Sequence, residues 1–473
     1  MEKWIILLGI LACMSFLCGC LALMIIPGHP HHGVIDAMTF TAPALPAISV
    51  FSVITAWLSY HRKPNATLLA AIMSLSLWSV SLAIVNVIVY SYIFITNNYF
   101  STVAQCILFF ANVFTALGIV GLSCFFVNRH YKSLSGSSDY DTCSGWVRYY
   151  WADEYCCTGT DKHYGSIGHL QICISIVLMV GSIVGLFGEN SVFPMLFIMA
   201  ATCLFTSGIL GMITSKLQLP DVAIWFLNFN RFAGCACWIA CLCNVIFIIH
   251  ASEYSRWNPT ISLMIFIVTG ISCMAGFFLS VAVEVLVGSR LGMHKYDPIK
   301  NGEPWEGYRA ALKSREFGLC CWQLLTACIL LAVTFLTVIL LHASPFVLLS
   351  SFTAYLLIAA SITVANIIKR KNVSIYSCYF ILCTVCNFGL VMNFILSSHQ
   401  LFIWQAPDND NDAAHKSPVF LIINSINIAV SLLCLIPTMY SVYYYGKEIA
   451  KDDAIINQIA DSSSETDLSK GLL

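Results

Sequence analysis

Charge is scarce in this chain. Its 473 residues include 23 Lys and Arg and 24 Asp and Glu, 10% in all, against 59% hydrophobic residues. Soluble domains carry about a quarter charged residues. No basic stretch is large enough for a nucleic-acid footprint, so nucleic acid is not an expected partner. Ionisable side chains inside the apolar runs mark most pumps and ion-coupled carriers, and they are nearly missing here. Arg231, at the start of the seventh run, and Glu284, near the end of the eighth, read as interfacial anchors. No Gly-x-x-x-Asp-Arg signature is present, which argues against a proton-coupled facilitator and leaves uncharged-solute transport open. There is no nucleophile elbow, no His/Glu metal motif and no membrane Asp pair, so no enzyme activity and no cofactor is expected.

What the chain does have is long apolar runs, with a mean hydropathy of +0.81. Twelve are legible: 4–26, 41–60, 67–95, 102–127, 168–187, 193–215, 232–250, 260–288, 318–341, 346–368, 373–397 and 418–444. Each is about 20 residues or longer, enough for a helix to cross a bilayer core. With the N-terminus in the cytosol and alternating directions, only Arg256 and Lys416 of the 23 Lys and Arg fall outside. That is the positive-inside pattern. The expected fold is an all-α polytopic membrane protein of about 12 transmembrane helices, with both termini cytosolic and the lipid bilayer as first partner. Met1-Glu2-Lys3 with the run after it looks like a signal peptide, but the apolar stretch is too long and lacks a small-x-small cleavage site, so it reads as the first helix.

No exterior loop contains any of the 22 Cys, which excludes the disulfide-bonded loops of tetraspanins and claudin-like proteins. Helix Cys read as small packing residues. Cys156 and Cys157, in an aromatic cytosolic segment, and juxtamembrane Cys320 and Cys321 are candidates for acylation. Adjacent Cys156 and Cys157 are poorly spaced as metal ligands, so no metal is expected. His29, His31 and His32 cluster in the first exterior loop, as solvated residues or pH sensors. The sequons at Asn65 and Asn372 fall on the cytosolic side and should be silent. The Leu472-Leu473 end resembles an acidic dileucine signal with the wrong spacing, so plasma membrane and endolysosomal membrane are not distinguished.

Loop lengths divide the chain. Two longer cytosolic segments separate three blocks with short connections, giving a four-helix unit at 1–127, a Cys/aromatic linker at 128–167, a second unit at 168–288, a linker at 289–317, a third unit at 318–446 and a disordered tail at 447–473. The fifth helix opens Gly168-His169-Leu170-Gln171 and the ninth Cys321-Trp322-Gln323. Pro194 and Pro345 open the following helices, with Pro43 and Pro46 in the equivalent place of the first unit. Third helices end near His250 and His399, followed by Trp257 and Trp404.

A Gln near the start of helix one, a short exterior turn, a Pro opening helix two and the small-residue run Ser207-Gly208-Ile209-Leu210-Gly211 together resemble the membrane-spanning four-domains family, the B-lymphocyte-antigen-like tetraspanners. That family's larger exterior loop between helices three and four matches 398–417 best. Three fused units depart from the single unit usual there. The resemblance implies a membrane-organising or signalling accessory role with membrane-protein partners.

Uncharged polar residues within the runs are the remaining candidates: Asn86, Asn244, Asn387, Asn393, Asn424 and Asn427. Asn86, Asn244 and Asn393 each lie in the outer half of a third helix, and Asn424 and Asn427 share a helical face. An amide in hydrocarbon needs a partner, so these residues bond helix to helix or line a path. Two functions follow. One is a non-enzymatic scaffold or accessory protein acting through lateral partners, self-association included. The other is a channel or transporter for an ion or uncharged solute. Amides closed between packed helices favour the first.

Overall fold

The computed structural model describes residues 2–25, 66–96, 103–136, 161–188, 193–254, 259–290, 315–341, 345–369, most of 379–401, and 418–470. All regular structure among them is helical: α1 Glu2–Ile25, α2 Ala66–Thr96, α3 Val103–Gly136, α4 Asp161–Gly188, α5 Phe193–Leu217, α6 Pro220–Tyr254, α7 Pro259–Arg290, α8 Arg315–Leu341, α9 Pro345–Lys369, α10 within 379–401 and α11 Pro418–Lys470. Eight are long and apolar enough to cross a membrane, and Leu356–Ala365 in α9 and Leu382–Ile395 in α10 are shorter apolar stretches. The chain is a membrane-embedded helical protein. The expected segment 41–60, Cys156, Cys157 and the His29–His32 cluster lie outside the described residues.

Proline starts several helices. Pro220, Pro259, Pro345 and Pro418 hold the first position of α6, α7, α9 and α11, where a missing N–H breaks no helical bond. Between α5 and α6 the chain reverses over Gln218 and Leu219. Gln218 is left-handed, with φ 55°, and its N–H bonds back to Thr214 O at 2.9 Å, closing α5. Helix α6 therefore begins well before 232, and the stretch 220–231, read from sequence as a cytosolic connection, is its first three turns. Val222, Ala223, Phe226, Leu227 and Phe229 are fully buried there. The tail also differs from the sequence reading: α11 continues to Lys470, because after Gly446 no Gly or Pro interrupts the helix-compatible sequence.

Helices α4 to α7 close on themselves, α4 packing on α5 and α7, α5 on α6, and α6 on α7. Further along, α8 packs on α9 and α11. Side-chain bonds from Asn393 tie α10 to both α9 and α11. Near the N-terminus α3 packs on α1 and α2. The groups meet through α2 against α5 and α6, and α9 against α6. At those contacts Ser81 and Thr206 hydroxyls lie 3.3 Å apart and the Trp78 and Phe229 rings meet edge to face at 5.5 Å.

The windows of α2, α5 and α6 are largely buried, while α3, α4, α7, α8 and α11 bury only a minority of theirs. Outward faces are apolar: Phe114, Ile271, Phe278 and Ile436 are all exposed. Such a surface is matched to lipid tails. Where lipid is as apolar as the helices, close packing and hydrogen bonds must hold them together. Gly168 and Gly208 supply one such close approach, backbone to backbone, between α4 and α5.

Candidate functional site

Polar side chains inside the bundle group by depth. Along α4, Gln171 is fully buried, and its Nε2 donates to Asn230 Oδ1 on α6 at 2.5 Å. Asn230 Nδ2 donates to Phe226 O at 3.0 Å. In α8 the fully buried Gln323 does the same, with Nε2 donating to Tyr379 Oη at 2.9 Å. Tyr379 Oη donates to Ser441 Oγ on α11 at 3.4 Å, and its ring meets Tyr445 edge to face at 4.9 Å.

One turn before each Gln, the first helix of the group crosses its neighbour. In the α4–α5 pair this crossing is Gly168 against Gly208. The α8–α9 pair has Cys320 against Ser361, whose Oγ donates to Cys320 O at 3.1 Å. Both crossings use small side chains, so backbones approach closely.

The amides singled out in the sequence lie on α2, α6, α10 and α11. Asn244 Nδ2 donates to Phe266 O on α7 at 2.6 Å. Its amide lies in the notch of Gly270, where a Cβ would come within 2.3 Å of Nδ2. Asn393 is held from both sides: Ser350 Oγ donates to its Oδ1 at 2.6 Å, and its Nδ2 donates to Ser431 Oγ at 2.8 Å. Asn387 Oδ1 accepts from the Thr438 hydroxyl. Asn424 and Asn427 are buried on α11, and Asn427 Oδ1 has no hydrogen-bond partner among the described residues. Asn86 is buried on α2, its Oδ1 likewise without a partner.

An ion pair joins α6 to α7. Arg231 Nε donates to Glu284 Oε2 at 2.7 Å and Nη2 to Oε1 at 2.5 Å, the fork geometry in which a guanidinium matches a carboxylate. The side chains are 18% and 39% exposed, so the pair sits at the edge of the bundle. Sequence reading put Arg231 at the start of the seventh helix, whereas it lies well inside α6. The same boundary error hid Asn230. The Pro220 start signal, followed by apolar residues at helical spacing, was the clue that could have found them.

Among the acylation candidates, Cys321 is exposed, while Cys320 is half buried against Ser361. The described residues contain no group of three His, Cys, Asp or Glu placed to hold a metal. The arrangement is one of interhelical bonds within a polytopic helical membrane protein. No family model matches the chain, nor does any curated protein or solved structure.

Proposed function

We propose that the chain is a non-enzymatic membrane scaffold or accessory protein, built from three tandem four-helix units and acting through lateral partners. The observation that carries this reading is the use made of the intramembrane amides. Those best placed to line a path, Asn244 and Asn393, donate instead to Phe266 O and Ser431 Oγ on adjacent helices. Bonds of this kind average roughly 0.6 kcal/mol in membrane proteins, enough to fix helix register when repeated.

The unit reading draws on equivalent positions. Asn244 follows Asn230 by the same number of residues as Asn393 follows Tyr379, and Gln171 and Gln323 bond to the earlier member of each pair. Contacts repeat too: α2 packs on α5 as α6 packs on α9, in each case the third helix of one unit on the second helix of the next. On this reading twelve spans place both termini in the cytosol, and the family resemblance to single-unit tetraspanners follows from the unit itself.

The test is reconstitution of the full chain into liposomes, with flux of monovalent ions, divalent ions and small neutral solutes measured beside affinity capture in mild detergent. Retained membrane-protein partners with no flux are expected. Flux that Asn244→Leu reduces would replace the scaffold reading with the transport one.

A further inference from the structure

Asn112 on α3 differs from the amides described above in that neither its oxygen nor its nitrogen is paired, and Asn86 lies on the neighbouring α2. Each is 1% exposed, yet Asn86 Oδ1, Asn112 Oδ1 and Asn112 Nδ2 have no hydrogen-bond partner among the described residues. A buried polar atom left unpaired costs roughly 1–3 kcal/mol, so three in one neighbourhood call for a ligand.

Depth and facing bring them together. Thr96 ends α2 and Val103 begins α3, so at 1.5 Å per residue Asn86 and Asn112 lie roughly 14–15 Å from those ends. That is near the middle of a hydrocarbon core about 30 Å thick. On α3 the buried row Phe109, Asn112, Ala116, Ile119 and Phe126 has the spacing of one helical face, while Phe110, Phe114 and Leu117 are exposed. α3's contact with α1 runs through another row, Gly118 against Leu11 and Phe125 against Trp4. Among the described helices the buried row is thereby left to α2, the other one on which α3 chiefly packs. Asn86 occupies the place of Asn244 and Asn393, each of which donates to the fourth helix of its unit, here α3, while Asn393 also accepts from the second. This step rests on the three-unit reading.

The chemistry of the unpaired atoms selects the ligand. Two acceptors and one donor require a group that donates twice and accepts once. A metal cation cannot accept from an N–H, and an anion cannot donate to a carbonyl oxygen. Water does both, and buried waters typically make about three hydrogen bonds. We propose that Asn86 and Asn112 hold a single water molecule between α2 and α3, in mid-membrane.

Two measurements on the full chain test this. The first is thermal unfolding in detergent of Asn86→Leu, Asn112→Leu and the double variant. Removing one partner leaves the others orphaned, while replacing both by apolar groups of similar shape removes the demand for water. Each single variant should therefore melt several degrees lower and the double variant close to wild type. Additive losses would overturn the site. The second is a cryo-electron microscopy map fine enough to show ordered water. Density bridging the two amides supports the proposal, whereas an amide-to-amide bond, or a dry gap with Asn86 still facing α3, removes the water alone. Asn86 turned toward α5 or α6 would overturn both the site and the unit alignment beneath it.

Discussion

Gly168 and Gly208 press the backbones of α4 and α5 together. A Cβ on Gly168 would stand 2.5 Å from the Gly208 carbonyl oxygen, and one on Gly208 would stand 2.7 Å from the Gly168 carbonyl. The obstructing atoms are main chain, so no side-chain rotation relieves the clash. Gly208→Val should cost at least the ~1–3 kcal/mol typical of overpacking, read as a lower melting temperature in detergent. Gly121, with nothing near its Cβ position, provides the control, and Gly121→Ala should leave melting unchanged or raise it slightly. Equal losses at both positions would contradict the close crossing.

Arg231 and Glu284 form a forked pair on adjacent helices. Glu284→Gln or Arg231→Met alone leaves the other charge without its partner, and either variant should melt below wild type. The double variant Arg231→Met with Glu284→Leu removes both charges and should recover much of the loss, since isolated charge rather than a missing pair is the main penalty. The check is a double-mutant cycle on melting temperature. A double variant as impaired as the sum of the singles would mean that the two residues act separately.

The membrane class and most helix positions could be read from apolar run length, because a span needs about 20 residues and little else looks like one. The candidate site was only partly legible. Asn244 and Asn393 stood out as amides in hydrocarbon, but nothing in a sequence shows that Phe266 O or Ser431 is the acceptor. Asn230 was lost, and Arg231 moved to a helix start, for a different reason. Run-length reading stopped at the polar cluster 228–231 and moved the helix start forward, although a buried helix tolerates such residues when neighbours satisfy them. The asymmetry between inner α6 and outer α7 was only partly visible: α6 is the less apolar of the two and yet the more buried, because its neighbours surround it.

Cys320 and Cys321 offer a test of side-chain facing. Cys321 is exposed, whereas Cys320 lies with its Sγ 3.2 Å from Ser361 Oγ. Palmitate transfer, followed by acyl-exchange labelling in cells, should be lost in Cys321→Ser and persist in Cys320→Ser if this pair carries the modification. The reverse result would mean that α8 is rotated from the orientation described.

Gln218 holds the left-handed position between α5 and α6 with φ 55°. A non-glycine residue in that conformation costs about 1–2 kcal/mol, partly offset in Gln218→Gly by the greater freedom of glycine in the unfolded chain. The variant should melt slightly higher than wild type with its helix content unchanged. Gln218→Val, β-branched and poorly suited to positive φ, should melt lower. If both variants behave alike, the turn is not held as described.

Gln171 and Gln323 test whether equivalent positions carry equivalent weight. Gln171 donates to Asn230 at 2.5 Å and Gln323 to Tyr379 at 2.9 Å, each joining the first and third helices of its group. Asn230 Oδ1 would lose its donor in Gln171→Leu, whereas Tyr379 in Gln323→Leu could still donate to Ser441. Both variants should therefore be destabilised by roughly 0.6–1.7 kcal/mol, Gln171→Leu the more so, as measured by thermal unfolding in detergent. Because the two sites belong to separate helix groups, the double variant should show the sum of the two losses. A loss in one alone would separate the two positions physically and weaken the case that they descend from one repeated unit.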